Sequence, residues 1–225
     1  MQSFAERIAG WFKINARDLP WRKTNDPYKI WISEIMLQQT TVATVIDYYN
    51  RFLLRFPTVQ ALGSAHEDEV LKLWEGLGYY RRARHLHAAA RMIISEFGGQ
   101  FPNSRESILK LPGIGAYSAG AILSIAFRKN EAALDGNLIR VYSRLFRFTE
   151  DVSKTAALKQ LWTWAKEHTP SDASISREFA EGMMELGATV CLPRNPKCHL
   201  CPVSARCEAY KNGDPEAYPI KSRME

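Results

Sequence analysis

All four cysteines of the chain lie within 17 residues, at Cys191, Cys198, Cys201 and Cys207. The spacing Cys-x6-Cys-x2-Cys-x5-Cys allows four thiolates to converge on one metal centre, because the loops between them are short. A disulfide framework for a whole chain would spread its cysteines more widely. Spacing and ligand type leave zinc and an iron–sulfur cluster as alternatives. His199 lies inside the loop, but with four cysteines available we expect its side chain to face solvent or a phosphate.

Two isolated carboxylic acids lie in segments that otherwise carry no charge. Glu34 is the one charged residue of 30–46, and Asp135 is the one charged residue of 132–139. An apolar environment favours the protonated form of a carboxylic acid, which is the form that a general acid needs. An acid paired with an anion is also the arrangement that cleaves glycosidic bonds through a sugar cation. The structural alternatives are a buried Glu34 satisfied by an arginine or by backbone, and an Asp135 that caps a turn or a helix.

A glycine-rich turn occurs at 111–119, with the sequence LPGIGAYSA. Gly113 and Gly115 precede a segment of helical periodicity, and glycines there let backbone N–H groups approach an anion closely. Such a turn can hold a phosphate without using side chains. The alternative is a simple connection between two helices.

The elements that must position these residues are predicted to be helices. Apolar residues recur at helical spacing through most of the chain, and no segment alternates with a period of two over more than a few residues. The fold class is therefore all-α. The polar tail from Asn212 to Glu225 is expected to pack loosely over the surface or to begin a linker. Helices are predicted at 2–15, 27–39, 42–56, 67–76, 79–97, 104–110, 116–127, 137–147, 154–168 and 176–190.

Composition sets broad limits on the function. The 225 residues are 46% hydrophobic, which is enough to bury a sizeable core in one or two domains. The formal charge of +6 suits a polyanionic partner but equally suits ordinary solubility. The chain contains no uncharged apolar run of about 18 residues, and its N-terminus lacks the apolar stretch of a signal peptide. We therefore expect a soluble, cytoplasmic protein that does not contact membranes.

The order and spacing of several motifs resemble the MutY adenine DNA glycosylases, which belong to the endonuclease III superfamily with a helix–hairpin–helix fold. The resemblance extends over nearly the whole chain. It implies a [4Fe-4S] cluster on the four cysteines and a hairpin at 111–119 that binds the DNA backbone. Besides the hairpin and the cysteine loop, the matching motifs are Leu19-Pro20-Trp21-Arg22, Trp31-Ile32-Ser33-Glu34, Met36-Leu37-Gln38-Gln39-Thr40, Gly76-Leu77-Gly78-Tyr79-Tyr80-Arg81 and Leu134-Asp135-Gly136-Asn137.

The same resemblance implies roles for the two isolated acids. Glu34 would protonate N7 of adenine and handle the attacking water. Asp135 would stabilise the cationic sugar or form a transient covalent bond with it, and Asn137 would support Asp135. The residues that match the adenine pocket of this family are Arg22, Leu37 and Glu181.

Gln39 and Tyr79 match the wedge that enters the base stack where the target base leaves. Their structural alternatives are an ordinary helix end for Gln39 and an ordinary core aromatic for Tyr79. A basic run close to Tyr79 would fit contacts with phosphates, although a charged helix face is usually only solvated. This run comprises Arg81, Arg82, Arg84, His85, His87 and Arg91.

Position 117 bears on the type of reaction. Relatives that also cleave the DNA strand carry a lysine there, whose amine forms a Schiff base with the sugar. This chain has Tyr117. The resemblance therefore implies a monofunctional glycosylase that leaves an abasic site. Tyrosine does not select the base, since it occurs in both adenine and thymine mismatch glycosylases.

The resemblance also implies two helical lobes. One is a central lobe at 20–130 that holds the hairpin, and the other combines 1–19 with 131–225 and holds the cluster loop at 191–207. Glu34 and Asp135 would then face each other across a cleft. In this family the chain usually continues into a region that reads 8-oxoguanine, and this sequence ends about where the connecting linker would start.

The function expected from the resemblance is removal of adenine mispaired with 8-oxoguanine or guanine in duplex DNA, by a monomer in the bacterial nucleoid. One alternative is a thymine or uracil mismatch glycosylase on the same fold, but Arg22, Gln39 and Glu181 favour adenine. Another alternative is a DNA-binding iron–sulfur protein without catalysis. The two isolated acids argue against that last alternative, because a binding module has no need of them.

Overall fold

The computed structural model describes residues 2–222, and every regular element in that part of the chain is helical. The predicted all-α fold class is therefore confirmed. The chain divides into two compact units, which we call the first unit (Met1–Ala16 with Arg128–Glu225) and the second unit (Arg17–Phe127). The first unit is discontinuous in sequence, because the second unit is inserted into it.

The helices occur in chain order as α1 (Phe4–Asn15), α2 (Pro27–Leu37), α3 (Val42–Arg55), α4 (Val59–Gly63), α5 (Glu67–Trp74), α6 (Arg81–Phe97), α7 (Arg105–Ile108), α8 (Ala116–Phe127), α9 (Gly136–Leu145), α10 (Thr155–His168), α11 (Ser176–Thr189) and α12 (Glu208–Lys211). Short 3-10 helices lie at Pro20–Lys23, Ala173–Ile175, Cys198–Leu200, Ser204–Arg206 and Pro215–Ala217. Helices α2 to α8 belong to the second unit.

Each of the ten predicted helices is present, with ends that differ from the prediction by at most two residues. Helices α4 and α12, of five and four residues, were not predicted. The predicted end of α2 at residue 39 is wrong. The chain leaves the helix at Gln38, and Gln39 has a φ of 58° in the left-handed region.

Helix α1 begins with a capping box and packs closely on α11. The Glu6 amide donates to Ser3 Oγ at 3.2 Å, and the Ser3 amide donates to Glu6 Oε2 at 2.6 Å. At Gly182 of α11, a Cβ would lie 2.8 Å from Ile8 Cγ2. The missing side chain therefore lets the two helices approach each other. The buried core of the first unit extends from this contact onto α9 and α10.

Helices α2 and α8 form the centre of the second unit. Apolar residues occupy nearly every side of both helices, which is typical of helices that are almost fully buried, and the two pack against each other. Asp26 caps α2 by accepting a hydrogen bond from the Tyr28 amide at 2.9 Å, and Pro27 occupies the first turn. A separate apolar core surrounds these helices.

The C-terminal tail is fixed to the first unit as far as the structure describes it. Tyr218 is buried, and its carbonyl accepts a hydrogen bond from Arg144 Nε at 3.1 Å. The expectation of a loosely packed tail is therefore wrong for residues 212–222, and its last three residues lie outside the described part. Nowhere in residues 2–222 is a helix long and apolar enough to span a bilayer.

His87 of α6 does not belong to the exposed basic run in which the sequence placed it. The residue is 2% exposed, and Nε2 lies 3.1 Å from the Ala65 carbonyl oxygen. Burial lowers the pKa of His87, and the positive charge of Arg91 acts in the same direction. The neutral ring therefore packs inside the second unit, and the interpretation of His87 as a phosphate contact is corrected.

The contact between α1 and α11 predicts opposite effects for two glycine-to-alanine changes. In Gly182→Ala the new methyl meets Ile8 and Phe12, and this overpacking should exceed the ~1 kcal/mol that alanine gains in a helix, for a net loss of about 1–2 kcal/mol. Gly10→Ala in α1 meets nothing within 4 Å and should stabilise by about 0.5–1 kcal/mol. Urea unfolding of both variants measures these differences. Equal effects of the two changes would show that α1 and α11 are not in close contact.

The burial of His87 predicts a loss of stability in mild acid. Above the ordinary pKa of 6.5, His87 is neutral in both the folded and the unfolded chain and contributes no pH dependence. As the pH falls below that value, the unfolded chain binds a proton that the folded chain resists, so the free energy of unfolding decreases. Urea unfolding at about pH 7.5 and about pH 5.5 should show this decrease, and His87→Gln should reduce it. An unchanged pH dependence in the variant would mean that other groups cause it.

Candidate functional site

The cysteine loop follows α11 directly and folds back on the first unit. All four cysteines lie in the described part of the chain, no disulfide joins them, and each is partly buried. Cys191, Cys201 and Cys207 pack against the core of the first unit. A 3-10 turn reverses the loop, and within it the Cys201 amide donates to the Cys198 carbonyl at 3.1 Å. His199 is exposed, as expected for a side chain that is not a ligand.

The four cysteines fit a polynuclear centre. Burial raises the pKa of the Cys201 thiol to about 12, and repulsion from the other three cysteines acts in the same direction. Such thiols ionise together only when a metal centre supplies positive charge. Within residues 2–222, no three His, Cys, Asp or Glu side chains are gathered closely enough for a single metal ion. That finding does not concern a four-iron cluster, in which each cysteine sulfur binds a different iron atom. The four cysteine sulfurs then lie farther apart than they do around one zinc ion, where each Zn–S bond is about 2.3 Å.

Asp135 is the N-cap of α9, and both of its carboxylate oxygens accept hydrogen bonds. Oδ1 accepts from the Leu138 amide at 2.8 Å, and Oδ2 accepts from Asn137 Nδ2 at 3.2 Å. The structure thus brings Asp135 and Asn137 together and also assigns Asp135 the capping role that the sequence left open. Because the carboxylate is held from two sides, its orientation is fixed.

Arg140 extends this arrangement to the cysteine loop. Its Nη2 donates to Asn137 Oδ1 at 2.9 Å, and its Nε donates to the Cys191 carbonyl at 2.7 Å. Close approach of α9 and α11 requires Gly187, where a Cβ would lie 2.7 Å from Asn137 Cβ. The sequence analysis missed Arg140. The available signal was its position three residues after Asn137, which places both on one face of a helix.

Glu34 lies in the apolar helix α2 of the second unit. The residue is 6% exposed, and all residues from 30 to 36 are buried. Leu37, one turn farther along α2, is partly buried against the same core. Arg22 lies in the 3-10 helix before α2, and its Nη1 donates to the Arg17 carbonyl at 3.0 Å.

Glu181 lies in α11 of the first unit. It is 6% exposed and forms an ion pair with Arg177 Nε at 3.0 Å, one turn earlier on the helix. Of the three residues predicted to line the base pocket, Arg22 and Leu37 belong to the second unit and Glu181 to the first.

The two glycines of the hairpin differ in what they require. Gly113 has a φ of 79°, and a Cβ there would lie 2.8 Å from His85 Cβ, so the protein itself requires glycine. A Cβ at Gly115 would meet nothing within 4 Å. Gly115 instead lies immediately before α8, and its carbonyl accepts a hydrogen bond from the Ala119 amide of the first turn at 2.9 Å. Open space therefore adjoins the first turn of α8, which also carries the partly exposed Tyr117.

Gln39 and Tyr79 are both exposed residues with a left-handed backbone. Tyr79 is 62% exposed with a φ of 49°, which excludes the alternative of an ordinary core aromatic. Arg82, predicted as a phosphate contact, instead turns inward and donates to the carbonyls of Ile35 and Met36 at 2.8 and 3.0 Å. The interpretation of Arg82 as part of the phosphate-binding run is therefore corrected.

Comparison with protein families resolves the nature of the cysteine loop. Residues 191–207 match the iron–sulfur binding domain of endonuclease III. The zinc alternative is therefore set aside, and the predicted [4Fe-4S] cluster is confirmed.

Curated relatives include glycosylases of two specificities. The chain is 42% identical over 98% of its length to an adenine DNA glycosylase of Buchnera aphidicola and 44% identical over 93% to that of Rattus norvegicus. It spans only 63% and 42% of those two proteins. It is also 35% identical to a thymine-DNA glycosylase of Aeropyrum pernix, and there the match covers 94% of this chain and 96% of the relative.

Solved structures show the same fold. A thermostable thymine-DNA glycosylase matches with a TM-score of 0.82 and 34% identity, over 93% of this chain and 95% of the other. An endonuclease III trapped as a covalent intermediate with DNA matches with a TM-score of 0.73 over 93% and 94% of the two chains, and its 23% identity shows the fold alone. Residues 32–167, more than half of the sequence, match the HhH-GPD superfamily, and the chain therefore belongs to this superfamily of base excision DNA repair proteins.

Proposed function

We propose that the chain is a monofunctional DNA glycosylase that hydrolyses the N-glycosidic bond of adenine mispaired with 8-oxoguanine or guanine. The observation that carries this proposal is the contrast between the surroundings of two carboxyl groups. Glu34 is buried in an apolar helix, whereas Asp135 stands at a helix N-terminus with a donor on each oxygen. Carboxyl groups in opposed surroundings divide the roles of acid and anion between them.

The reaction follows from these two roles. Glu34 delivers its proton to N7 of adenine, which makes the base a better leaving group. The bond between C1′ and N9 then breaks, and its electron pair leaves with the base. Asp135 stabilises the positive charge that develops on the sugar, as a carboxylate does in glycoside hydrolysis. A water molecule adds to C1′, and its proton passes to the Glu34 carboxylate, which restores the acid.

Asn137 and Arg140 are positioning residues in this scheme. Asn137 Nδ2 holds Asp135 Oδ2, and Arg140 Nη2 in turn holds Asn137 Oδ1. The carboxylate is therefore oriented before the sugar becomes cationic, so little reorganisation accompanies the reaction.

Duplex DNA that contains a mispair is the proposed partner of a monomeric enzyme. The open space beside Gly115 and the first turn of α8 suits a phosphate group, because backbone amides and the positive end of a twelve-residue helix meet there. Gln39 and Tyr79 are exposed and available to fill the space that an extruded base leaves. Arg22, Leu37 and Glu181 are proposed to recognise adenine.

Tyr117 supports hydrolysis without strand cleavage. It occupies the first turn of α8 and carries a phenol, which does not form a Schiff base with the sugar. The expected product is an abasic site in an intact strand.

A thymine or uracil mismatch glycosylase is the second candidate. The 35% identity to the Aeropyrum pernix thymine-DNA glycosylase, which extends over 94% of this chain, favours it. The higher identity to adenine DNA glycosylases favours adenine. The two candidates share the fold and Asp135, so only the base removed distinguishes them.

The proposal predicts the base and the product in one single-turnover assay. Duplexes carry adenine opposite 8-oxoguanine, adenine opposite guanine, thymine opposite guanine, or uracil opposite guanine, and each is analysed with and without hot alkali. Strand breaks at adenine that require alkali are expected, because the enzyme leaves an abasic site. Cleavage confined to thymine or uracil would move the chain to the second candidate. Breaks without alkali would contradict the role of Tyr117.

Substitution of either acid is predicted to slow excision of the base without weakening DNA binding. Glu34→Gln should slow single-turnover excision about a thousandfold by removing the general acid, and Asp135→Asn should slow it to a similar degree, about 100- to 1000-fold. Binding of a duplex with an uncleavable target should stay within about threefold, since few phosphate contacts are affected.

Asp26→Asn is the matched control for Asp135→Asn. Asp26 also caps a helix through its carboxylate, and asparagine caps about as well as aspartate. This variant should excise adenine at the normal rate. Normal excision by both acid variants would contradict the assigned roles of Glu34 and Asp135, whereas no excision by the unaltered protein would favour a DNA-binding protein without catalysis.

A further inference from the structure

The two segments that carry Gln39 and Tyr79 need support from outside themselves. Gln39 has a φ of 58° and Tyr79 a φ of 49°. L-residues other than glycine rarely adopt this left-handed conformation, because Cβ approaches the following carbonyl. Both side chains are exposed, so burial of Gln39 or Tyr79 does not fix the two segments. Contacts from a neighbouring element must therefore hold them.

One arginine of α6 makes those contacts with the 38–40 segment. Arg82 Nη1 donates to the carbonyls of Ile35 and Met36 at 2.8 and 3.0 Å and to that of Gln38. Arg82 Nη2 donates to Thr40 Oγ1 at 3.2 Å. The last carbonyls of a helix lack partners within the helix and carry partial negative charge. The guanidinium therefore caps the end of α2 and follows the chain through the turn at Gln39.

The same side chain also holds the 77–79 segment. Arg82 Nη2 donates to the carbonyls of Leu77 and Gly78, each at 3.2 Å. The guanidinium carbon lies 5.7 Å from the centre of the Tyr79 ring, within the range of a cation–π contact. Six oxygens, from residues 35–40 and 77–78, thus share the four N–H bonds of the two terminal nitrogens of Arg82.

The chemistry of the guanidinium suits this task. Burial lowers the pKa of Arg82, but an arginine remains protonated in proteins and keeps all of its donors. Its planar fork reaches several acceptors in fixed directions. A lysine ammonium in the same place is a compact charge on a flexible stem and cannot span both segments.

We propose that Arg82 is a positioning residue that joins the 38–40 and 77–79 segments and holds Gln39 and Tyr79 as a preformed pair for insertion into the base stack. This inference rests on the proposed function, in which these two residues replace the extruded base. A pair that is ordered before DNA binds avoids the entropic cost of ordering two segments during extrusion.

Hydrogen exchange of the protein without DNA tests the joining role. In Arg82→Lys the amides of Thr40 and Leu77 should exchange about tenfold faster, because the segments lose several charge-assisted hydrogen bonds. Amides in the middle of α6 and α8 should exchange at the normal rate. The matched control is Arg55→Lys, because Arg55 is an exposed arginine of the same unit that pairs with Glu69. Normal exchange at both segments in Arg82→Lys, or faster exchange throughout the second unit, would overturn the proposal.

Base extrusion tests the consequence for DNA. A duplex with 2-aminopurine in place of the target adenine becomes fluorescent when the base leaves the stack. Arg82→Lys should extrude the base about tenfold less well, while its binding of undamaged duplex stays within about twofold because the charge is kept. Arg55→Lys should match the unaltered protein in both measurements. If Arg82→Lys lost duplex binding and kept normal exchange at both segments, Arg82 would be a phosphate contact and the proposal would fail.

A second variant keeps the test decisive if Arg82→Lys does not fold. Thr40→Val is nearly isosteric and removes the hydroxyl that accepts from Arg82 and donates to the Gln38 carbonyl at 3.4 Å. It leaves the other bonds of Arg82 in place, so it should change exchange and extrusion in the same direction by a smaller factor. Failure of the proposed function is separately visible, since the unaltered protein would then neither extrude nor excise adenine. The exchange measurement uses no DNA and therefore decides the joining role of Arg82 even in that case.

Discussion

Backbone carbonyls at helix ends and in irregular loops have no partners within their own element, and in this protein buried or partly buried arginines donate hydrogen bonds to them. Arg82 bonds the end of α2 and the turn before α6. Arg140 donates to the carbonyls of Gly187 and Cys191, and Arg144 donates to those of Leu192 in the cysteine loop and Tyr218 in the tail. An unpaired buried carbonyl costs about 1–3 kcal/mol, and a guanidinium offers five donors in fixed directions. Three side chains therefore fix the irregular segments that carry Gln39 and Tyr79, the cysteine loop and the tail.

The proposed chemistry depends on the surroundings of two carboxyl groups of the same kind. Glu34 is buried because α2 is packed against the core on nearly every side, and Asp135 is held because it caps α9 and has Asn137 two residues later. Neither role needs an unusual residue. Each follows from the place of an ordinary acid in a helix, with Glu34 inside the helix and Asp135 at the positive end.

Membership of the superfamily leaves the base open. The chain has relatives that remove adenine and relatives that remove thymine, and the thymine-DNA glycosylase structure shares its fold with a TM-score of 0.82. A fold shared by both specificities cannot select between them, so the choice belongs to the few side chains that contact the base. Tyr117 is compatible with both. The proposal for adenine therefore rests on Arg22, Gln39 and Glu181 together with the higher identity to adenine DNA glycosylases.

The sequence alone determined the features whose causes are local. The helices follow from the spacing of apolar residues, and the cysteine loop follows from ligands that are neighbours in the chain. The cap of α9 follows from the position of Asp135, whose carboxylate accepts from the amide of Leu138 three residues later. Tertiary structure decided the inward turn of Arg82, the burial of His87 and the docking of the tail through Tyr218. Arg82 reaches a carbonyl 46 residues away, and no local pattern specifies which distant backbone group folding brings to a charged side chain. From sequence alone, an arginine in a basic run is therefore predicted to be an exposed charge, and only the folded structure shows which carbonyls it hydrogen-bonds.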